Sequence, residues 1–283
     1  MTLPEVAEWF QTRGYNVFLY DARSVGASDG LPRNQLDPLQ MAEDISDIVT
    51  FASALPSVDP RRILLWGMSF GGMVSGCAAA VDARPRAVIM VAPLFSFVKP
   101  ERRRNTFAQV IRDRVSQLRG NEALSLPPFN SRGENIAGFG GAGGPGGVEA
   151  YTLMRAAAEL GGDTGFRDRI ALQTFHKLAL ARPMELLDMV DERTAVMMVV
   201  PELDDISDPA EQKAAFEKLP ASESSLRRLH VARGKGHLSI MTGQGSQELL
   251  EDMDEFFREA LGGVRGDGNR EVGCLPRELE TLS

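Results

Sequence analysis

The sequence predicts an α/β fold, a mostly parallel sheet with helices on both faces and a helical insertion, and three features predict it. Short apolar runs alternate with longer stretches of helical spacing. One run, Thr194 to Val200, is apolar almost throughout, as a strand covered on both faces must be. Between Lys99 and Asp191 the alternation lapses, and only helical patterns remain.

The elements follow in chain order. Leu3 to Arg13 places Val6, Trp9 and Phe10 at helical spacing and stops at Gly14. Val17 to Tyr20 reads as a strand and Pro38 to Leu55 as a helix. After Asp59-Pro60 comes a strand over Ile63 to Trp66, then a helix of small residues ending near Asp82. Val88 to Val91 is the next strand, broken by Pro93. In the lapse, Phe107 to Leu118, Glu149 to Leu160 and Arg167 to Leu180 read as helices with no strand among them. The Thr194 to Val200 strand, a helix from Pro209 and a strand over Leu229 to Ala232 restore the alternation. The expected organisation is a core of residues 1–98 and 191–262, a helical cap over 99–190 and a flexible tail over 263–283.

Composition bounds the function. A chain of 283 residues, 43% hydrophobic and 25% charged, suits one catalytic domain of ordinary soluble composition. A net charge of -8, with no basic run beyond Glu101 to Arg104, gives nucleic acid no electrostatic footprint. Cys77 and Cys274 are the only cysteines, too few for a disulfide framework, and no cysteine-histidine cluster has metal spacing. The N-terminus turns acidic before an apolar core develops, and the apolar run from Ala87 to Val98 is broken by Pro93 and too short to span a bilayer. A cytoplasmic protein without membrane contact, metal or cofactor is expected. Gly138 to Gly143 fits G-x-G-x-x-G, but no strand precedes it, so it reads as a flexible lid segment rather than a nucleotide site.

Chemistry enters at Gly67-Met68-Ser69-Phe70-Gly71-Gly72, which closes an apolar strand and opens a helix. A serine attacks a carbonyl only if its hydroxyl stands clear of the backbone beside a base, and a sharp strand-to-helix turn exposes it. Such a turn strains the serine and demands small neighbours, so Gly67 and Gly71 are read as allowing close approach of strand and helix. The new helix aims amide donors at developing negative charge. The plainer reading is a glycine turn in which Ser69 is an ordinary cap.

Two further pieces lie in the order Ser, Asp, His. The strand ending at Val200 runs into Pro201-Glu202-Leu203-Asp204-Asp205-Ile206-Ser207, placing a carboxylate at the sheet's C-terminal edge. Asp204 is read as the orienting acid and Asp205 as its close rival, with Asp208 more distant. The aspartate left over is read as part of a solvated turn capping the helix from Pro209. Of three histidines, His176 sits in a helical stretch and His230 inside a strand, while His237 follows a strand among glycines that let the backbone turn. His237 is read as the general base.

Asp21 to Gly30, Gly67 to Gly72, Pro201 to Ser207 and Gly234 to Ser239, in that order, resemble the α/β-hydrolase superfamily over nearly the whole chain. The strings Trp66 to Gly72 and Val200 to Ile206 are similar, more narrowly, to fungal polyketide-transferase-type hydrolases of secondary-metabolite clusters. The resemblance implies an acyl-handling enzyme with Ser69, Asp204 and His237 as triad, the Phe70 amide as oxyanion donor and a structural role for the Asp21 to Gly30 turn. Its substrate would be a small-molecule ester or thioester, such as that of a polyketide-type acyl group in secondary metabolism, with a carrier-bound acyl chain among the forms considered. The resemblance also implies early strands and a loop that carries a second oxyanion amide. The chain begins at the helix after that loop, so about 30 to 50 residues are expected to be missing and the strand Val17 to Tyr20 to have an uncovered edge. Losing one oxyanion donor costs about 2.7 to 4 kcal/mol of transition-state stabilisation. Three functions therefore stand: a serine acyl hydrolase or acyltransferase, a catalytically weak relative that binds a lipid-like or polyketide ligand, and a general carboxylesterase or peptidase.

Overall fold

The computed structural model describes residues 3–138, 143–160, 165–222, 225–243 and 245–262. The chain runs α1 (Leu3–Thr12), α2 (Pro38–Ser53), β1 (Leu64–Met68), α3 (Phe70–Val81), β2 (Ala87–Val91) and α4 (Arg103–Leu118). It continues with β3 (Ser125–Leu126), α5 (Pro145–Leu160), β4 (Ile170–Ala171), α6 (Thr174–Leu180) and α7 (Pro183–Leu186). It closes with β5 (Ala195–Pro201), α8 (Pro209–Glu217), β6 (Arg227–Ala232) and α9 (Ser246–Ala260). Strands β1, β2, β5 and β6 pair in that order, all parallel.

Alternation along the two central strands sorts the core into two layers. Ile89, Val91, Met197 and Val199 pack with Val6 and Phe10 of α1 and with Leu250, Met253 and Phe256 of α9. Val88, Met90, Val196 and Met198 face the other way, onto Ile45 and Val49 of α2, Met73 and Ala78 of α3 and Phe216 of α8. Every residue of β2 and β5 is buried, which is why both read as unbroken apolar runs.

Three sequence expectations are corrected. Val17 to Tyr20 forms no strand: the segment pairs with no strand among the described residues, and its four side chains are 40–54% exposed. Apolar, branched and aromatic composition favours a strand only where a neighbour supplies the ladder. Phe18 instead sets its ring 5.9 Å from that of Phe51 on α2. The helix read over Arg167 to Leu180 begins only at Thr174, because Ile170 and Ala171 pair antiparallel with Leu126 and Ser125. That short ladder also breaks the expectation of no strand between Lys99 and Asp191.

Side chains tie the segment between β2 and β5 to the rest. Asn34, at φ 55°, donates from Nδ2 to the Arg169 carbonyl at 2.6 Å, and its own carbonyl accepts from Ala171 N–H. Lys177 Nζ pairs with Asp37 at 2.6 Å, and Thr174 Oγ1 accepts from Leu36 N–H. Within the segment, buried Asp113 accepts from Gln117, Gln173 and the Leu124 amide, binding α4 to α6 and to β3. The Asp21 to Gly30 turn is a structural clasp: Asp21 accepts from Ala27 N–H at 2.8 Å, and Arg33 donates to the Ser28 and Gly26 carbonyls. The expected tail, 263–283, lies outside the described residues. No helix among those described is long and apolar enough to cross a membrane.

Candidate active site

The loops after β1, β2, β5 and β6 meet at the C-terminal edge of the sheet, where a parallel α/β sheet leaves a crevice. Ser69 stands between β1 and α3 at φ 56°, ψ -121°, a region that costs about 1–3 kcal/mol and persists only where its surroundings enforce it. They do so here through backbone bonds. Ser69 N–H donates to Val91 O at 2.8 Å, and Ser69 O accepts from Met73 N–H and Leu94 N–H at 3.1 and 3.3 Å.

The glycines divide the work differently from the expectation. A Cβ on Gly67 would lie 2.3 Å from Gly71 O and 2.7 Å from Ser75 Oγ, so only glycine fits there. A Cβ on Gly72 would come within 3.0 Å of Gly67 O. Gly71, expected to need its missing side chain for close approach, would point a Cβ into open space. Its carbonyl, not its Cα, is what presses on Gly67. Phe70 begins α3, so its N–H is among the first amides of the helix, which have no intrahelical acceptor. The Phe70 ring meets that of Phe97 edge-on, centroids 6.2 Å apart.

His237 Nε2 lies 2.7 Å from Ser69 Oγ, and Nδ1 lies 3.0 and 2.9 Å from the two oxygens of Asp204. Residues at positions 69, 204 and 237 are thus one hydrogen-bonded chain, with the imidazole and the carboxylate both buried. Asp204 also accepts from Ile206 N–H at 2.9 Å, Ser207 N–H at 2.8 Å and Gln212 Nε2 at 3.1 Å. Backbone and side-chain donors thus fill the lone pairs of the buried carboxylate that the imidazole leaves open. With Nδ1 set against the carboxylate oxygens, the neutral imidazole donates from Nδ1 and leaves Nε2 as an acceptor toward the serine.

The acid loop and the histidine loop are lashed together. Leu203 N–H donates to Lys235 O at 2.8 Å, Glu202 N–H to Ala232 O at 3.0 Å, and Gly234 N–H to the Glu202 carboxylate at 2.8 Å. Ser207 Oγ reaches across to Pro93 O at 2.5 Å, joining the acid loop to the turn after β2. That turn contains Ala92 at φ 46°, a second strained residue on the same edge of the sheet.

Sequence reasoning missed Gln212 and misjudged Asp205. Gln212 Nε2 donates to Asp204 and to the Ser207 carbonyl, and the side chain is fully buried. Its signal was available: Gln212, Ala215, Phe216 and Leu219 form one helical stripe in which the glutamine is the only polar member. Asp205 does not touch His237, and it does not cap the helix from Pro209 either, because Asp208 does that through Ala210 N–H. Asp205 Oδ2 instead accepts from Gly146 N–H at 3.0 Å, at the start of α5. His176 is exposed on α6, and His230 sits 3.3 Å from Asp252, away from the serine. Among the described residues, no group of three His, Cys, Asp or Glu side chains is arranged to hold a metal ion.

A parallel sheet flanked by helices, carrying a strained serine at a strand-to-helix turn beside a buried imidazole and carboxylate, defines an α/β-hydrolase. The profile of the Hydrolase_4 family, described as serine aminopeptidase S33, matches residues 2–241, and the chain belongs to that α/β-hydrolase family. It is 35% identical over 260 residues to "Polyketide transferase af380" of Aspergillus fumigatus, covering 92% of this chain and 85% of that one. It is 37% identical over 270 residues to a "Thiohydrolase" of Eupenicillium brefeldianum, covering 95% and 83%. Among solved structures it resembles that of DcsB in complex with its substrate analogue, at a TM-score of 0.86 and 56% identity, covering 93% of this chain and 86% of that one. The relatives are hydrolases and transferases of this fold.

Proposed function

We propose that the protein is a serine-dependent acyl hydrolase or acyltransferase whose nucleophile is Ser69, general base His237 and orienting acid Asp204. The observation that carries this reading is the 2.7 Å contact between His237 Nε2 and Ser69 Oγ, with the far side of the imidazole held by a buried carboxylate. As Ser69 Oγ attacks the acyl carbon, Nε2 takes its proton and Asp204 stabilises the imidazolium. The oxyanion is met by the Phe70 N–H at the positive end of α3. His237 then returns the proton to the departing thiol or alcohol, leaving an acyl-enzyme. Water or an acceptor hydroxyl, deprotonated in turn by His237, releases the acyl group. Hydrolysis and transfer differ only in this second nucleophile.

The names of the relatives support a thioester of a polyketide-type acyl chain as the substrate, free or on a carrier, in secondary metabolism. Residues 99–190 are proposed as the cap that forms the acyl pocket and limits the entry of water. The test uses octanoyl and acetyl thioesters of N-acetylcysteamine, with thiol release followed from the first turnover. A burst of thiol equal to the enzyme present is expected. Asp204→Asn is expected to lower kcat by about 10³ to 10⁴-fold through loss of the productive imidazole tautomer, while Asp205→Asn lowers it far less. Equal loss from both substitutions would contradict the assignment of the acid. Turnover of aminoacyl anilides without turnover of thioesters would favour a peptidase instead.

A further inference from the structure

We propose that Asp205 is a positioning residue, a carboxylate latch that fixes the first turn of α5 against the loop carrying Asp204 and so sets the closure of the acyl pocket. This rests on the function proposed above for Ser69, Asp204 and His237.

The fully buried residues of α5 lie in its first turns. Among its described side chains Gly146, Gly147 and Ala150 are buried and Tyr151 packs partly buried against the core, while Thr152, Leu153 and Ala156 face solvent and Arg155 pairs with Asp168 at 3.2 Å. The buried end is built backbone on backbone. A Cβ on Gly147 would meet Gly133 O at 2.2 Å, and one on Gly133, at φ +75°, would meet Gly144 O and Val148 N at 2.7 Å. Into this cradle comes the Asp205 side chain, accepting from Gly146 N–H at 3.0 Å. A Cβ on Gly144 would lie 2.1 Å from Asp205 Oδ2, and one on Gly146 would lie 2.1 Å from Asp205 Oδ1.

Bare backbone at 144 and 146 is therefore what admits the carboxylate, and the carboxylate in turn finds an unsatisfied amide and the positive end of a 16-residue helix. Gly144, Gly146 and Gly147 thus have a packing function; of the lid segment expected over Gly138 to Gly143, residues 139–142 lie outside the described residues. Asp205 and Asp204 are consecutive, so one short loop orients the imidazole with one side chain and anchors α5 with the next. Closure of the pocket and alignment of the base are mechanically joined.

The latch predicts a specificity defect. Asp205→Ala is expected to lower the ratio of kcat/KM for octanoyl over acetyl thioester about tenfold, chiefly through KM, the size of one charge-assisted hydrogen bond. Asp205→Asn, which keeps an acceptor oxygen, is expected to fall between it and the parent. Gly144→Ala is expected to reproduce the defect, and Gly144→Ala combined with Asp205→Ala to be no worse than Asp205→Ala alone, because the three atoms nearest a Cβ at 144 all belong to Asp205. Gly147→Ala, which meets the Gly133 carbonyl, is expected to gain no such relief. An unchanged octanoyl-to-acetyl ratio in both Asp205 variants would overturn the latch, as would strict additivity of the Gly144 and Asp205 substitutions in thermal unfolding. If the parent turns over neither thioester, it is the proposed function that fails, while the unfolding cycle still decides whether Asp205 holds α5.

Discussion

At the scale of single residues, the site is a chain of charges and donors in which each member fixes the next. Gln212 is the least obvious link: it donates to Asp204 Oδ2, the same oxygen that lies 2.9 Å from His237 Nδ1. Replacing it with leucine keeps the packing of its apolar stripe but strips one donor from a buried anion, a loss of about 1.5–3 kcal/mol for a hydrogen bond to a charged group. Gln212→Leu is expected to slow acylation of Ser69 about tenfold with little change in KM, read from single-turnover thiol release; a change in KM alone would contradict its role. Cys77 shows the opposite effect of burial, where no donor helps. Desolvation pushes its thiol from 9.0 up to about 12. The folded protein therefore keeps a proton that the unfolded chain gives up above about pH 9, so the contribution of Cys77 is complete below that pH and is lost as pH climbs toward 12. Urea titrations at about pH 8 and about pH 10 should show a smaller alkaline loss of stability in Cys77→Ala than in the parent; equal losses would contradict the burial effect. Ser69, His237 and Asp204 were legible because each follows a strand and each residue type is scarce or constrained there. Asp205 was not, since its partner is a backbone amide 59 residues away in the chain, reached through glycine packing that leaves no pattern in sequence.

Among the elements, legibility follows burial. Strands β2 and β5 are buried along their whole length, so composition alone located them to within a residue or two. Helix α2 was legible from Pro38, which stands at its first turn after the capping Asp37, and α3 from the run of small residues after the Ser69 turn. Val17 to Tyr20 has the composition of a strand and none of the pairing, because pairing depends on a neighbour that local sequence does not report. The stretch from Arg167 to Thr174 was misread for a related reason: two residues are diverted into a ladder with β3, and a two-residue strand carries no period. What holds the segment between β2 and β5 is polar as much as apolar, and Asp113 is its centre. Asp113→Ala would take the acceptor from the Leu124 amide and one of two acceptors from buried Gln173 Nε2, which keeps the Val110 carbonyl, an expected loss of about 1–3 kcal/mol. Chemical denaturation checks this, and a loss below about 0.5 kcal/mol would mean that the network is dispensable.

For the molecule as a whole, the parallel sheet does two things at once. Its buried faces supply the two halves of the core, and its C-terminal edge gathers four loops whose strain and hydrogen bonds leave little freedom. Ser69 and Ala92 both hold positive φ on that edge, and the stability to keep them there comes from the strands behind. The central claim is that this edge makes one hydroxyl among many a nucleophile. Intact-mass analysis after treatment with a fluorophosphonate tests it most directly. One adduct per chain, located on Ser69 and absent from His237→Ala, is the predicted result; folded protein that takes up no adduct, or takes it up unchanged without His237, would contradict the account.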